Sequence, residues 1–258
     1  MVQSKRSYDA VVFDLDGVIT KTALVHAASW KEMFDAYMRL REQRDNEPFK
    51  EFTVEGDYRT YVDGKPRYKG VRSFLESRNI NLSEGDPTDD PEKETVCGLG
   101  NKKNVVFRQI LERDGVEVYQ PAVELLKNLK EEKVRIGVAS SSKNCQFILK
   151  SVDLEKYFET RVDGVVSAEL GLKGKPEPDI FTVAAKNLGS DPDRAIVVED
   201  AVSGVQAGAK GKFALVIGVA REDNDKELKE NGADVVINSF EGVNAEVIDR
   251  WVKEKASR

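Results

Sequence analysis

PAVELLKNLKEEKVRIGVA, residues 121–139, holds two periodicities side by side. Val123, Leu125, Leu126 and Leu129 recur at helical spacing, so residues 121–133 are expected to form an amphipathic helix. VRIGVA, 134–139, is a short apolar run and reads as a buried strand. The alternation continues to the C-terminus. KNCQFILKSV (143–152) reads as helix, DGVVSA (163–168) as strand, DIFTVAAKNLG (179–189) as helix and AIVV (195–198) as strand. SGVQAGAKG (203–211) is helical, ALVIGV (214–219) and ADVVI (233–237) are strand-like, and NAEVIDRWVKEKA (244–256) is a closing helix. Strands alternating with helices of about ten residues imply parallel βαβ units, hence an α/β fold with a doubly wound parallel sheet, whose ligands sit at the carboxyl ends of the strands.

Working back from this repeat, AVVF at 10–13 supplies a first strand, and it runs into Asp14 and Asp16. The segment between it and the repeat breaks the rhythm. LVHAASWKEMFDAYMRLREQR (24–44) is helical, with Trp30, Met33, Phe34, Tyr37 and Met38 on or near one face, expected to be core. The polar DYRTYVDGKPRYKG (57–70), a short helix VRSFLESRN (71–79), an acidic solvated loop SEGDPTDDPEKE (83–94) and a helix from about Lys103 to Arg113 follow. A stretch of this length without a convincing strand reads as a small α-helical cap domain inserted after the first strand. The boundaries expected are 1–21 for the first piece of the core domain, 22–116 for the cap and 117–258 for the rest of the core.

Composition limits the function classes. The 258 residues carry 40 Lys and Arg against 46 Asp and Glu, a net charge of −6, so there is no basic footprint for nucleic acid and no polybasic membrane patch. No apolar run is long enough to span a bilayer, and MVQSKRSYD does not resemble a signal peptide. Cys97 and Cys145 form neither a metal-ligand pair nor a disulfide framework and are expected to be reduced thiols. A cytoplasmic enzyme acting on a small molecule, as a monomer, is the expectation.

The strand ends carry the chemistry. VRIGVA ends in Ser140, Ser141 and Ser142; the loop after DGVVSA carries Lys175; AIVV ends in Glu199 and Asp200. Together with Asp14 and Asp16 these place a hydroxyl, an ammonium and four carboxylates at neighbouring strand ends. Two carboxylates about 4 Å apart repel by about 4 kcal/mol at an effective dielectric near 20. Such a cluster demands a cation, and oxygen-only ligands beside a phosphate suit Mg²⁺. Phosphoryl transfer to an aspartate uses these parts: a carboxylate nucleophile, an ammonium and metal that neutralise the phosphoryl oxygens, and a hydroxyl that positions them. In the DxD spacing one carboxylate can attack while the other protonates the leaving oxygen.

DLDGV (14–18), VASSSKN (138–144), GKPEPD (174–179) and VVEDAVSG (197–204) resemble, in order and spacing, the four motifs of the haloacid dehalogenase superfamily. DGVITKTALVHAASWK (16–31) is similar to the beta-phosphoglucomutase branch. The resemblance implies Asp14 as nucleophile, Asp16 as general acid and base, and Ser140 and Lys175 as holders of the transferring phosphate. It implies Mg²⁺ on Asp14, the main-chain carbonyl of Asp16, Glu199 and Asp200. His26, the one histidine, matches a residue that assists the acid/base aspartate in that branch. Ser141, Ser142, Lys143 and Asn144 are further substrate-binding candidates. For a second phosphate the cap offers Arg67, Lys69, Arg72, Lys102 and Lys103, of which Arg72 and Lys103 are preferred.

Departures from the branch are Lys21 in place of a hinge aspartate, Gln120-Pro121 in place of Pro-Gly, and the extra loop at 83–95. They leave two acceptors open, a sugar hydroxyl (phosphohexomutase) or water (sugar-phosphate phosphatase). The remaining alternatives are a non-catalytic phospho-acceptor, which would lack both insertion and general acid, and a degenerate binding subunit.

Overall fold

The computed structural model describes residues 6–221 and 223–257. The first five residues, on which part of the leader reading falls, lie outside them. Six strands form one parallel sheet in the order β3-β2-β1-β4-β5-β6: β1 (Ala10–Phe13), β2 (Arg135–Ala139), β3 (Thr160–Val162), β4 (Ala195–Glu199), β5 (Leu215–Val219) and β6 (Val235–Ile237). All four residues of β1 are fully buried, as a central strand covered on both faces requires. Successive side chains point to opposite faces. Ala10 and Val12 accordingly join Phe181, Ala184, Val197, Val205 and Phe213 in one core cluster, and Val11 and Phe13 are buried on the other side.

The chain divides into two compact units, residues 1–21 with 117–258, and residues 22–116. In the sheet unit, α4 (Gln120–Glu131) is the helix of the opening stretch, and it buries Val123, Leu125, Leu126 and Leu129. It is followed by α5 (Cys145–Ser151), α6 (Gly164–Glu169), α7 (Asp179–Asn187), α8 (Val202–Lys210), α9 (Asp225–Glu230) and α10 (Ala245–Ala256). One expectation fails here. DGVVSA is helix α6 rather than a strand, because Asp163 accepts hydrogen bonds from the Val165 and Val166 N–H groups at 3.0 and 3.1 Å and caps a helix. The strand is the three residues before it, TRV.

The second unit contains α1 (Thr22–Asp45), a π-helical turn at Val54–Val62, α2 (Arg67–Ser77) and α3 (Val96–Asp114), with no strand among the described residues. Trp30, Met33, Phe34, Tyr37 and Met38 lie in its core with Phe52 and Phe74, and the Phe34 and Phe74 ring centroids are 4.0 Å apart. Two helices start earlier than the sequence suggested. RYKG opens α2, and α3 begins at Val96, where the Thr95 hydroxyl accepts from Gly98 N–H at 2.9 Å. Cys97 and Cys145 are buried free thiols.

Candidate active site

Register brings the motifs together. β1 pairs with β2 on one side and β4 on the other, with Phe13 opposite both Val138 and Val198. One residue later, Asp14 is level with Glu199, and Ser140 stands just past Ala139. Asp14 N–H donates to Val198 C=O at 2.9 Å, extending the ladder to the nucleophile candidate.

Lys175 enters from the loop before α7, and its ammonium donates to Asp14 Oδ1 at 2.5 Å and to Glu199 Oε1. All three groups are almost wholly buried. Burial alone would lower the lysine's pKa, but Asp14 and Glu199 outweigh it and hold Lys175 above its ordinary range. Burial raises the Asp14 carboxyl well above the usual range; Lys175 opposes this, and the Glu199 and Asp16 charges add to it. One ammonium is set against the Asp14 and Glu199 carboxylates, and the Asp16 charge acts on Asp14 as well, so the carboxylates outnumber the cation.

Asp16 lies in a tight turn. Gly17 has φ +83°, its N–H donates to Thr20 C=O at 2.8 Å, and Ile19 N–H returns to Leu15 C=O at 3.0 Å. The Ser140 hydroxyl donates to Asp16 Oδ2 at 3.2 Å and accepts from Ser142 N–H at 3.1 Å. Ser142 Oγ accepts in turn from Asn144 N–H at 3.1 Å, so the second and third serines shape the entry to α5. Ser141 and Lys143 lie against Gly164, where a Cβ would stand 2.6 Å from Ser141 O and 3.0 Å from Lys143 N.

Both oxygens of Glu199 have partners at the end of β4. One oxygen is held by Lys175 and the other accepts from Ala201 N–H at 2.7 Å, because a carboxylate at the end of β4 meets the free amides preceding α8. Gly204 permits this, since a Cβ there would lie 1.9 Å from Glu199 Oε1. Among the described residues no three His, Cys, Asp or Glu side chains gather as a metal-binding group. The donor set still fits Mg²⁺, which takes one or two carboxylates and completes its shell with water and phosphate oxygens. Asp200 lies against the nucleophile turn: a Cβ on Gly17 would fall 1.8 Å from Asp200 Oδ2. Asp14, Asp200 and the main-chain carbonyl of Asp16 are oxygen donors on neighbouring segments, in a site short of positive charge.

In the helical unit, Lys103 Nζ and His26 Nδ1 are 2.5 Å apart, and the His26 ring stacks on Phe107 at 4.1 Å. The buried Lys103 ammonium also lies over the Phe107 and Trp30 rings. Arg72, the other preferred phosphate contact, is exposed and paired with Glu84, while Lys102 pairs with Glu92 at 3.0 Å. Arg67 is half-buried and donates to Asn104 Oδ1 at 2.8 Å. Sequence reasoning missed Arg221, which binds the turn after Asp16; a single arginine in a loop carries no motif to find it by.

A sequence model of the haloacid dehalogenase-like hydrolases matches residues 8–212. A beta-phosphoglucomutase of Mycobacterium tuberculosis is 46% identical over 234 residues, covering 90% of this chain and 89% of that protein. A phosphorylated carbohydrates phosphatase of Thermotoga maritima is 29% identical, over 92% of this chain and 97% of that protein. The crystal structure of a beta-phosphoglucomutase from Clostridium difficile superposes with a TM-score of 0.77 at 24% identity, covering 97% of this chain and all of that one, which shows a shared fold.

Proposed function

Because the chain belongs to the haloacid dehalogenase-like hydrolase family and is an enzyme, we propose that it interconverts hexose 1-phosphate and hexose 6-phosphate, in the manner of a beta-phosphoglucomutase. The observation that carries the reading is the Asp14–Lys175–Glu199 triad at the end of β1, with Ser140 bound to Asp16 one turn away. It supplies a nucleophile and an acid/base from one short loop.

Asp14 attacks the phosphorus and becomes an aspartyl-phosphate, while Asp16 gives its proton to the departing sugar oxygen and later takes one from the accepting hydroxyl. Lys175 offsets the charge of the nucleophile and of the transferring group, and Ser140 orients Asp16 and the phosphate. Asp14, Asp200 and the carbonyl of Asp16 would hold Mg²⁺, which supplies charge neutralisation at the phosphoryl oxygens. Glu199 holds the Lys175 ammonium beside Asp14 and is a further candidate donor to the metal. The helical unit serves as the cap, and within it Lys103 holds His26. The 46% identity to a named mutase over nearly the whole length favours a sugar hydroxyl as acceptor, and the similarity to a phosphorylated carbohydrates phosphatase makes water the second reading.

Phosphorus NMR with Mg²⁺ and beta-glucose 1-phosphate, with and without a trace of glucose 1,6-bisphosphate, separates the two. Bisphosphate-dependent formation of glucose 6-phosphate supports the mutase. Inorganic phosphate as sole product makes the enzyme a phosphatase, and no turnover rejects this sugar.

A further inference from the structure

Arg221 stands in the loop after β5, a strand that contributes none of the motif residues. Its guanidinium is committed to the turn that carries Asp16. Nε donates to Gly17 C=O at 2.7 Å and Nη2 to Val18 C=O at 3.2 Å, while Nη1 reaches Asn238 C=O at 3.4 Å. Its plane lies over the Tyr119 ring, with the guanidinium carbon 3.6 Å from the ring centroid. The backbone beside it is fixed as well, since Arg221 N–H donates to Asn224 Oδ1 at 3.2 Å and Asn224 Nδ2 reaches Asp200 C=O at 3.5 Å. Each of these guanidinium hydrogen bonds goes to a main-chain carbonyl. Arg221 is half-buried, and even partial desolvation of a cation is costly, so its commitment to the backbone of a single turn calls for a reason beyond a surface ion pair.

The two carbonyls it grips follow Asp16 immediately. Gly17, at φ +83°, sets the direction in which the chain leaves Asp16, and the Ser140 hydroxyl meets the Asp16 carboxylate. Asp16 is thereby held at its carboxylate by Ser140 and through its backbone by the grip on the following turn. Lysine could not reproduce this, because a point charge cannot donate to two successive carbonyls and stack on a ring at once.

We propose that Arg221 is a positioning residue for Asp16, holding the Gly17–Val18 turn so that the carboxylate meets the leaving oxygen of the substrate. The inference rests on the acid/base reading of Asp16 given above. It has a signature that a merely structural role lacks. A sugar ester has a poor leaving group and needs the proton from Asp16, whereas p-nitrophenyl phosphate has a good one and needs it little.

The experiment compares kcat/KM for beta-glucose 1-phosphate and for p-nitrophenyl phosphate, in Mg²⁺, among the wild type, Asp16→Ala, Arg221→Gln and Arg221→Lys, with melting temperatures alongside. Arg221→Gln is expected to lose on the order of 10²-fold on the sugar ester and less than about threefold on the aryl ester, following Asp16→Ala, with Arg221→Lys between it and the wild type. Equal losses on both esters, or no advantage of lysine over glutamine, would overturn the proposal. Hydrogen exchange at the Gly17 and Thr20 amides supplies a readout independent of turnover. Arg221→Gln should speed the exchange, and if it were unchanged the proposal would fail even for an enzyme inactive on these esters. Wild-type activity that survives Asp14→Asn would count against the underlying phosphoryl-transfer reading instead.

Discussion

Asp14, as the proposed nucleophile, faces opposing demands, since that role needs the ionised form but burial favours the protonated one. Its pKa is raised in the folded protein, so the stability linked to its proton is fully present below the unfolded value of about 3.9 and is lost as pH rises through the raised value. At neutral pH the ionised group therefore costs stability in the absence of a divalent cation. Asp14→Asn should abolish turnover and raise the melting temperature in chelator by on the order of a few degrees, measured by calorimetry; a lower melting temperature would show that Lys175 repays the burial. Glu199 and Asp200, adjacent in sequence, should separate in their effects. Asp200→Asn is expected to raise the Mg²⁺ concentration for half-maximal rate by about 10- to 100-fold, and Glu199→Gln to lower kcat with a Mg²⁺ requirement changed by less than about fivefold. Sequence order brought these carboxylates to the right strand ends, but it could not show that Glu199 also holds Lys175. That placement depends on the amide of Ala201 and on the absent side chain of Gly204.

At the scale of elements, the turn after β1 and the first turn of α8 owe their form to two glycines. Alanine in a helix interior is ordinarily better than glycine by about 1 kcal/mol. Gly204→Ala should show the opposite sign, with a reduced kcat, because its Cβ would displace Glu199. Gly17→Ala combines a left-handed backbone with a collision against Asp200, and about 1–2 kcal/mol of stability should be lost along with Mg²⁺-dependent activity. The misread segment DGVVSA belongs here as well. Its Val165-Val166 pair looks like a strand, and β3 itself has one apolar residue, Val162. Local composition therefore pointed to the wrong side of Asp163, whose two capping bonds decide the matter. Asp163→Ala should cost about 0.5–2 kcal/mol for the cap, read in denaturant unfolding, and more if Arg161 loses its partner. The long helices were legible because their apolar stripes are strong. The starts of α2 and α3 were not, since Gly70, Gly98 and Gly100 mimic loop composition while allowing close packing against Val62, the Lys93 carbonyl and Tyr68.

For the whole molecule, the division into two units makes cation binding a local event with a predictable footprint. The candidate donors, Asp14, Asp16 and Asp200, all belong to the sheet unit, as do Lys175 and Arg221. A ligand bound only by the folded state stabilises it by about 2.7 kcal/mol at 100 times its dissociation constant. For a chain of this size that corresponds to roughly 5–10 °C in melting temperature. Because the cation and the proton compete for Asp14, the increment should be small near pH 4 and grow as pH rises through the raised pKa of that carboxyl. Hydrogen exchange with and without Mg²⁺ locates the effect. Slower exchange at Gly17, Thr20 and Ala201, with α1 and α3 unchanged, is the expected pattern. Protection centred instead on the carboxylates of the 83–94 loop would move the cation to the helical unit and remove it from the chemistry.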